Sequence, residues 1–271
     1  MGNQKSFNLA VIGAGAMGSG IITSLVDAGA LETDSIIAAD IDDQKLQQLA
    51  DSTGVSTTTD NISAIEQAEM VLLAVKPQVL PGVLEGISGA VADRCVVSIA
   101  AGVPIATYEE AFGTDTSIIR VMPNILCTVG EAASAYAPNE ACCDEEIAEV
   151  DRLLNAVGTA VCVEEKLLDA VTGLSGSGPA FAAIFIGALI DGGVAAGLTR
   201  SDAAKLATQT VLGAAKWITQ NDYSPADLKA LVTSPGGTTI AGVCKLEEKG
   251  LRSAAIEAVI AAAERSRELG S

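Results

Sequence analysis

Three closely spaced glycines near the beginning of the chain lie between an apolar stretch and a helical pattern. Gly13, Gly15 and Gly18 form the spacing G-x-G-x-x-G within the stretch AVIGAGAMGSG. In a strand-to-helix turn the first glycine permits a tight turn, the second lets the backbone approach a pyrophosphate, and the third lets helix and strand pack closely. The pattern predicts a dinucleotide site, with a purely structural glycine turn as the alternative.

An acidic residue, Asp40, ends the next strand pattern about 20 residues after these glycines. A carboxylate at this position can accept hydrogen bonds from the ribose 2′-hydroxyl of NADH but repels the 2′-phosphate of NADPH. The following letters, IDDQK, add two more acids before the first base. We expect NADH to be preferred, with NADPH as a second usable cofactor; the alternative is that Asp40 only caps the following loop.

A second glycine-rich stretch, SPGGTTIAG at 234–242, carries no formal charge. Its serine and proline are expected to end one helix, and Gly236 and Gly237 let the backbone come close to a ligand. Thr238 and Thr239 then begin the next helix with unpaired N–H groups and hydroxyls. Such a helix start can hold a carboxylate without an arginine.

Composition removes several classes of chemistry. The 271 residues contain no histidine, which excludes histidine-dependent triads and histidine-bearing zinc sites, and we predict no metal centre. The net charge of −18 gives no field that would attract nucleic acid or an anionic membrane surface, so neither partner is expected. A hydrophobic fraction of 49% is enough for a sizeable core of a soluble protein.

The spacing of the cysteines and the N-terminal sequence indicate the cellular compartment of the protein. The six cysteines show no C-x-x-C spacing, and no apolar signal segment precedes the first strand pattern. We read them as buried thiols in a reducing compartment and expect a cytoplasmic protein. The opening MGNQKS matches the pattern for N-myristoylation of Gly2, with a chance match of a short pattern as the alternative.

Short apolar runs alternate with helical patterns from Phe7 to about Val163, which predicts an α/β Rossmann domain with a doubly wound, mostly parallel sheet. The expected strands are FNLAVIGAG, SIIAAD, MVLLAV, CVVSIAAG, SIIRVMP and TAVCVE. The expected helices are 17–30, 43–51, 62–68, 81–90, 105–112 and 144–157. Ligands of such sheets lie beyond the carboxyl ends of the strands, where AVKP, AAG and MPN fall.

After Glu164 the strand patterns disappear and alanine-rich helical periodicity takes over. Thr199 with Asp202 and Ser224 with Asp227 have the spacing of capping boxes at helix starts. The apolar run 178–190 is too short to span a bilayer and is expected to be buried in a core or between subunits. We divide the chain into a dinucleotide-binding domain, 1–164, and an all-helical domain, 165–271, for substrate binding and dimerisation.

These stretches together resemble the pyrroline-5-carboxylate reductases over nearly the whole chain. The resemblance covers IGAGAMG, AVKP, AAG and RVMPN, and its most specific parts are DAVTGLSGSGPAFAAIFIGALIDGGVAAGL and TSPGGTTIAGVCKLEEKGLR. It implies reduction of the cyclic imine 1-pyrroline-5-carboxylate to L-proline with NAD(P)H, the last step of proline synthesis. It also implies a Rossmann domain followed by a helical domain that interleaves with its partner in a homodimer, and it allows a ring of five dimers.

The resemblance assigns individual residues as well. Glycines 13 to 18 would hold the pyrophosphate, Asp40 and Asn61 would flank the adenosine ribose, and 75, 76 and 101 would lie toward the nicotinamide. The implied cofactor residues are Gly13, Gly15, Ala16, Met17, Gly18, Asp40, Asn61, Ala74, Val75, Lys76 and Ala101. The implied substrate residues are Ser234, Gly237, Thr238, Thr239 and, at the edge of the site, Glu165. Thr239 is the catalytic candidate, through a hydrogen bond to the ring nitrogen.

Two positions depart from the family pattern. The usual MPNTP reads MPNIL here, which changes the loop expected beside the nicotinamide. Leu231 stands where several members have an asparagine that reaches the cofactor, so that contact is absent.

Other functions remain as alternatives. The opening glycine stretch also resembles β-hydroxyacid dehydrogenases and related imine reductases, and a nucleotide-binding regulator without catalysis is a further alternative. The dehydrogenases need a catalytic lysine on a helix of the second domain, and the run 178–190 contains none. An imine can arrive already protonated, so its reduction needs little acid catalysis and the absence of histidine is no obstacle.

Overall fold

The computed structural model describes residues 7–221 and 223–270 of the chain. The predicted myristoylation site at Gly2 lies outside the described residues. The strands are β1 (Phe7–Ile12), β2 (Ile36–Ala39), β3 (Ser56–Thr58), β4 (Ala68–Leu73), β5 (Cys95–Ser98), β6 (Ile118–Met122), β7 (Ala132–Pro138) and β8 (Gly158–Cys162). The helices of this part are α1 (Ala16–Asp27), α2 (Asp43–Thr53), α3 (Asn61–Glu66), α4 (Leu80–Ile87), α5 (Ile105–Phe112) and α6 (Asp144–Ala156).

All eight strands form one sheet in the order β3-β2-β1-β4-β5-β6-β7-β8. Every neighbouring pair is parallel except β6 and β7. The chain moves outward from β1 in one direction through β2 and β3, and then in the other direction from β4. The carboxyl ends of β1 and β4 are adjacent at this change of direction, which is where open α/β sheets bind ligands.

Apolar side chains cover both faces of the sheet, as expected for parallel strands flanked by helices. One buried cluster includes Leu9 and Val11 of β1, and a second cluster includes Ala10 and Ile12 of the same strand. Successive residues of a strand point to opposite faces, so β1 contributes to both cores. The predicted doubly wound α/β fold is confirmed.

Two strands were not among the six predicted ones. The strand β3 has only three residues, and β7 consists largely of alanine with a serine, a tyrosine and a final proline. Small residues have a weak intrinsic preference for strands. Pairing with both β6 and β8 places β7 inside the sheet, where its side chains are mostly buried.

From Glu165 onward the described residues form helices joined by short turns, with no strand among them. It contains α7 (Leu168–Val171), α8 (Gly178–Ala195), α9 (Arg200–Asn221), α10 (Pro225–Leu231), α11 (Thr238–Glu248) and α12 (Leu251–Leu269), with a π-helical turn at Thr172–Gly176. The predicted capping box of Ser224 and Asp227 is confirmed in both directions. At the start of α9, Thr199 accepts a hydrogen bond from the Asp202 N–H, and its hydroxyl donates to the carboxylate of Asp202.

The chain forms two compact units. One contains the described residues up to Ser177 together with those from Ile260 onward, and the other is Gly178–Val259. In the second unit α8 packs against α9, yet Ile184 of α8 is 72% exposed. The continuous helical stretch Glu165–Ala195 is long and apolar enough to cross a membrane by length and composition alone, because the helical turns before Gly178 extend the apolar run.

All six cysteines are free thiols, but they are not all buried. Cys95 and Cys127 lie in the core, whereas Cys143, Cys162 and Cys244 are exposed. The expectation of buried thiols is therefore wrong for these three, which lie at a helix start, at the end of the edge strand β8 and on α11. Burial in the core raises the pKa of the Cys127 thiol, which keeps it protonated at neutral pH.

Candidate active site

The glycine turn between β1 and α1 has the geometry of a phosphate-binding loop. Gly13 has φ +108°, and a Cβ there would lie 2.7 Å from the carbonyl oxygen of Ala74. A Cβ on Gly18 would overlap the carbonyl oxygen of Gly13, so the third glycine is required for packing. Gly15 is different, because a Cβ there would meet nothing within 4 Å. The space in front of Gly15 is open for a ligand to approach the backbone.

Asp40 joins the glycine turn to the segment after β2. Its Oδ2 accepts a hydrogen bond from the Ala14 N–H (2.8 Å), and its Oδ1 accepts one from the Asp42 N–H (3.0 Å). Asp40 therefore does cap the loop that follows β2, as the alternative interpretation of this residue expected. A carboxylate offers about four acceptor positions, so two remain for a ribose hydroxyl. Asp40 can therefore support the turn and contact a cofactor at the same time.

A cleft of about 360 Å³ lies at the carboxyl ends of β1, β2 and β4. Seven of the predicted cofactor residues line it: Gly13, Gly15, Asp40, Asn61, Ala74, Val75 and Lys76. The other four, Ala16, Met17, Gly18 and Ala101, do not line this cleft. For Gly18 the reason is its role in packing α1 against the turn.

Sequence reasoning missed several residues that line the same cleft: Ile41, Lys45, Val79 and Val83. Ile41 is 92% exposed, which is unusual for an isoleucine within an acidic segment. Its position directly after Asp40 was an available signal for a contact with a ligand. Val79 and Val83 are four residues apart, so they share one face of the chain entering α4.

Asn124 organises the loop that follows β6. Its side chain is almost fully buried, its Nδ2 donates to the carbonyl oxygen of Ser175 (3.0 Å), and its Oδ1 accepts from Leu126 N–H and Ala133 N–H. In an α-helix the Ser175 carbonyl would receive the N–H of residue 179, which is a proline and has none. Asn124 supplies the missing donor, and it lies beside a π-helical turn, a feature frequent at functional sites.

The departure MPNIL affects this same loop. The proline of the usual MPNTP would fall at position 126, where it could not donate to Asn124. Here the Leu126 N–H makes that bond, and Asn124 begins a 3₁₀ turn over Ile125–Val129. The substitution therefore adds a backbone donor that fixes the loop after Asn124.

Replacing Asn124 with aspartate is expected to lower the free energy of unfolding by about 3 kcal/mol, because a buried carboxylate cannot donate to the Ser175 carbonyl. Thermal unfolding measures the effect. The same change at the exposed Asn221, whose amide donates to the Trp217 carbonyl within its own helix, is the matched control and should change stability by less than about 1 kcal/mol. Equal melting temperatures for the two variants would contradict the assignment.

Glu165, predicted at the edge of the substrate site, is engaged within the first compact unit. Its Oε1 accepts from the Ile105 N–H (2.7 Å), at the start of α5, and pairs with the Arg120 guanidinium (2.9 Å). One carboxylate oxygen therefore has a structural role. Within the described residues the other oxygen has no partner and can still meet a ligand.

A buried tyrosine close to this pair stays protonated. Tyr108 is fully buried, and its hydroxyl lies 2.5 Å from the Ser98 Oγ. Burial raises the pKa of Tyr108 to about 12, although the hydrogen bond to Ser98 acts in the opposite direction. At neutral pH the pair is a neutral support beneath the carboxyl end of β5.

The four predicted substrate residues of the second unit lie in one turn before and at the start of α11. Gly236 has φ +67°, and a Cβ on Gly237 would overlap the Ser234 hydroxyl. Gly237 is the N-cap of α11 and makes no side-chain cap, so the N–H groups of the first helical turn stay available. Within the described residues the hydroxyls of Ser234, Thr238 and Thr239 have no hydrogen-bond partner, so the turn presents a cluster of neutral donors.

No group of three or more histidine, cysteine, aspartate or glutamate side chains with metal-binding geometry occurs among residues 7–221 and 223–270. The chemistry available in the cleft and in the α11 turn consists of backbone N–H groups, hydroxyls, the Asn61 amide, Asp40 and two lysines. This set suits the binding of phosphates and carboxylates.

The chain is similar to known proteins in both of its halves. Residues 165–269 match the family model described as pyrroline-5-carboxylate reductase dimerisation, and residues 8–102 match one described as NADP oxidoreductase coenzyme F420-dependent. A pyrroline-5-carboxylate reductase of Methanosarcina acetivorans is 47% identical over 271 residues, covering 100% of this chain and 99% of the relative.

Solved structures show the same likeness. A pyrroline-5-carboxylate reductase from Coxiella burnetii has a TM-score of 0.94 at 33% identity, covering 99% of this chain and 100% of that one. A Plasmodium falciparum pyrroline carboxylate reductase with NADP bound has a TM-score of 0.87 at 29% identity, with 99% and 100% covered. The resemblance seen in the sequence is confirmed, and the chain belongs to the pyrroline-5-carboxylate reductase family.

Proposed function

We propose that this protein reduces 1-pyrroline-5-carboxylate to L-proline with a reduced nicotinamide cofactor. The observation that carries the proposal is the α11 turn, where available N–H groups and three unpartnered hydroxyls form a neutral cradle suited to a small carboxylate. The same chain has an open phosphate-binding turn at Gly15. Family membership gives this combination its specific substrate.

The residues of the cleft fit a dinucleotide. The N–H groups at the start of α1 face the position of a pyrophosphate, and the open space at Gly15 admits it. Asp40 and Asn61 hold the adenosine ribose, while Val75, Lys76 and Ala101 lie toward the nicotinamide. Ala74 lines the cleft beside the phosphates, and Ala16 and Met17, which do not line it, contribute the backbone at the start of α1. The bound cofactor supplies the hydride that is added to the imine carbon.

The α11 turn performs the remaining tasks. Ser234, Gly237 and Thr238 hold the substrate carboxylate, with Glu165 at the edge of the site. The Thr239 hydroxyl forms a hydrogen bond to the ring nitrogen and orients the imine, which is bound as the iminium and needs no strong acid. Well-oriented reactants reach effective molarities of about 10⁵–10⁸ M, so positioning accounts for much of the rate.

The finer features of the proposal follow from the same residues. Asp40 makes NADH the preferred cofactor. The exposed apolar α8 and the family's dimerisation domain support a homodimer, and we place a ring of five dimers above it. The functional division lies at residue 164, which the start of the helical family match at residue 165 supports. We place the enzyme in the cytoplasm.

The proposal is tested by the absorbance of the reduced nicotinamide. It should fall when reduced cofactor is mixed with 1-pyrroline-5-carboxylate and stay constant without substrate, whereas a hydroxyacid dehydrogenase would make it rise with β-hydroxyacids plus oxidised cofactor. We expect turnover with the imine only. A dimeric, NADH-binding protein that does not reduce the imine would instead favour the regulator, and turnover of a hydroxyacid would favour the dehydrogenase alternative.

Replacing Asp40 with serine is expected to raise the ratio of kcat/KM for NADPH to that for NADH by about tenfold, because the charge that opposes a 2′-phosphate is removed. Serine is also too short to reach the Ala14 N–H, so NADH binding should weaken. Asp40→Asn is the control, since its amide oxygen can keep one backbone bond. If the parent enzyme already prefers NADPH, the assignment of Asp40 is wrong.

A further inference from the structure

Asp42 lies two residues after Asp40 in the loop between β2 and α2, and its side chain caps the start of α2. Its Oδ1 accepts hydrogen bonds from the Gln44 N–H (3.1 Å) and the Lys45 N–H (3.3 Å), and its Oδ2 lies 3.4 Å from the Lys45 Nζ. The backbone hydrogen bond from Lys45 lowers the pKa of Asp42, so the carboxylate is ionised at neutral pH. One carboxylate therefore binds two of the N–H groups at the start of α2 and the nearby positive charge.

Lys45 is the base at the end of the cleft that carries Asp40. It lines the cleft together with Asp40 and Asn61, and its side chain is half exposed. The other lysine that lines the cleft, Lys76, follows β4 instead. Asp40 itself is linked to Asp42 through the Asp42 N–H, so the two carboxylates and Lys45 form one connected group.

A 2′-phosphate on the adenosine ribose needs donors and a positive charge at this end of the cleft. The N-terminus of α2 could supply the donors, since helix starts bind anions through free N–H groups. Asp42 already fills that position with its own anion. A phosphate would have to displace a charged carboxylate and separate it from Lys45 before it gained the same contacts.

We infer that Asp42 is a second residue, beside Asp40, that sets the preference between NADH and NADPH. It acts by occupying the start of α2 and by neutralising Lys45, whereas Asp40 acts through the ribose hydroxyls. The inference rests on the proposed function of the cleft as the cofactor site and deepens it. It assigns to Lys45 the capacity to bind a 2′-phosphate once Asp42 has lost its charge.

The test compares the dissociation constants of NADPH and NADH, measured by calorimetry on the full chain, for the parent and for Asp42→Asn. Asparagine is as good an N-cap as aspartate, so the melting temperature should not change. We expect NADPH to bind about tenfold more tightly and NADH to bind as before. The ratio of kcat/KM values should move in parallel.

Asp43→Asn is the matched control. Asp43 is the exposed first residue of α2, and removing its charge alters the net charge of the protein equally. We expect its NADPH affinity to change by less than about twofold. Equal gains in Asp42→Asn and Asp43→Asn would overturn the inference, because they would show a general effect of charge.

Lys45→Gln completes the test as a double-mutant cycle. In the parent it should alter NADPH binding little, since Asp42 neutralises Lys45; in the Asp42→Asn background it should abolish the gain. A gain that survives without Lys45 overturns the inference. An unchanged NADPH affinity in Asp42→Asn also overturns the inference. The proposed function then still stands if the parent protein reduces the imine. A parent protein that reduces no imine contradicts the proposed function itself.

Discussion

Gly15→Ala is expected to leave the melting temperature unchanged and to weaken NADH binding by about a hundredfold. The added Cβ meets nothing within 4 Å, and Gly15 has φ −75°, so alanine fits the folded protein without strain. The methyl group would instead occupy the space through which a pyrophosphate reaches the backbone. Loss of one or two hydrogen bonds to a charged group, at about 1.5–3 kcal/mol each, gives this magnitude. Calorimetric titration with NADH and thermal unfolding measure the two effects.

Gly18→Ala is the control with the opposite pattern. Its Cβ would overlap the Gly13 carbonyl oxygen, so the turn or helix α1 must move and the protein should lose at least about 2 kcal/mol of stability. The two glycines of one motif thus have separable roles, one toward the ligand and one toward packing. Normal NADH affinity in Gly15→Ala would show that no pyrophosphate approaches at this position.

Thr239→Ala is expected to lower kcat/KM for the imine by about 10- to 100-fold while NADH affinity stays nearly unchanged. The hydroxyl has no partner within the described residues, so its removal leaves no unsatisfied group in the protein. Alanine also has a higher helix propensity than threonine, so α11 should still form. A lost hydrogen bond that orients the substrate accounts for a loss of this size. Steady-state kinetics and cofactor titration measure the two quantities.

Thr239→Ser keeps the hydroxyl and should recover most of the activity. Thr238→Ala removes a neighbouring hydroxyl and, as a carboxylate contact, should raise KM for the imine more than it lowers kcat. If Thr239→Ala lowered the affinity for NADH by the same factor as kcat/KM for the imine, an orienting role for this hydroxyl would be contradicted. Equal losses in the serine and alanine variants would also contradict it.

Local patterns predicted much of the fold because their causes are local. The glycine spacing required a tight turn, and Gly13 has the positive φ that only glycine adopts easily. The serine and aspartate at the start of α10 lie within one helical turn of each other, so their capping box could be seen in the sequence. The α11 start at Thr238 also agrees with the prediction.

Features that depend on contacts distant in the sequence could not be predicted from local patterns. The strand β7 has few residues that favour strands, and it is a strand because β6 and β8 offer hydrogen bonds on both sides. Folding also brings Arg120 and the start of α5 to one oxygen of Glu165, contacts that the sequence did not predict. Neither partner is near in the sequence. The place of Glu165 at the edge of the substrate site stays a prediction.

The sequence by itself determined the alternation of strands and helices, the phosphate-binding turn, the helical second half and the family. Each of these depends on residues within about one turn or one strand of each other, whose sterics and hydrogen bonding need no distant partner. The tertiary structure alone decided which side chains meet across the chain: Asp40 with the Ala14 N–H, and Asn124 with the Ser175 carbonyl. Such contacts depend on how the strands are ordered and registered, because buried polar groups must find partners wherever packing places them.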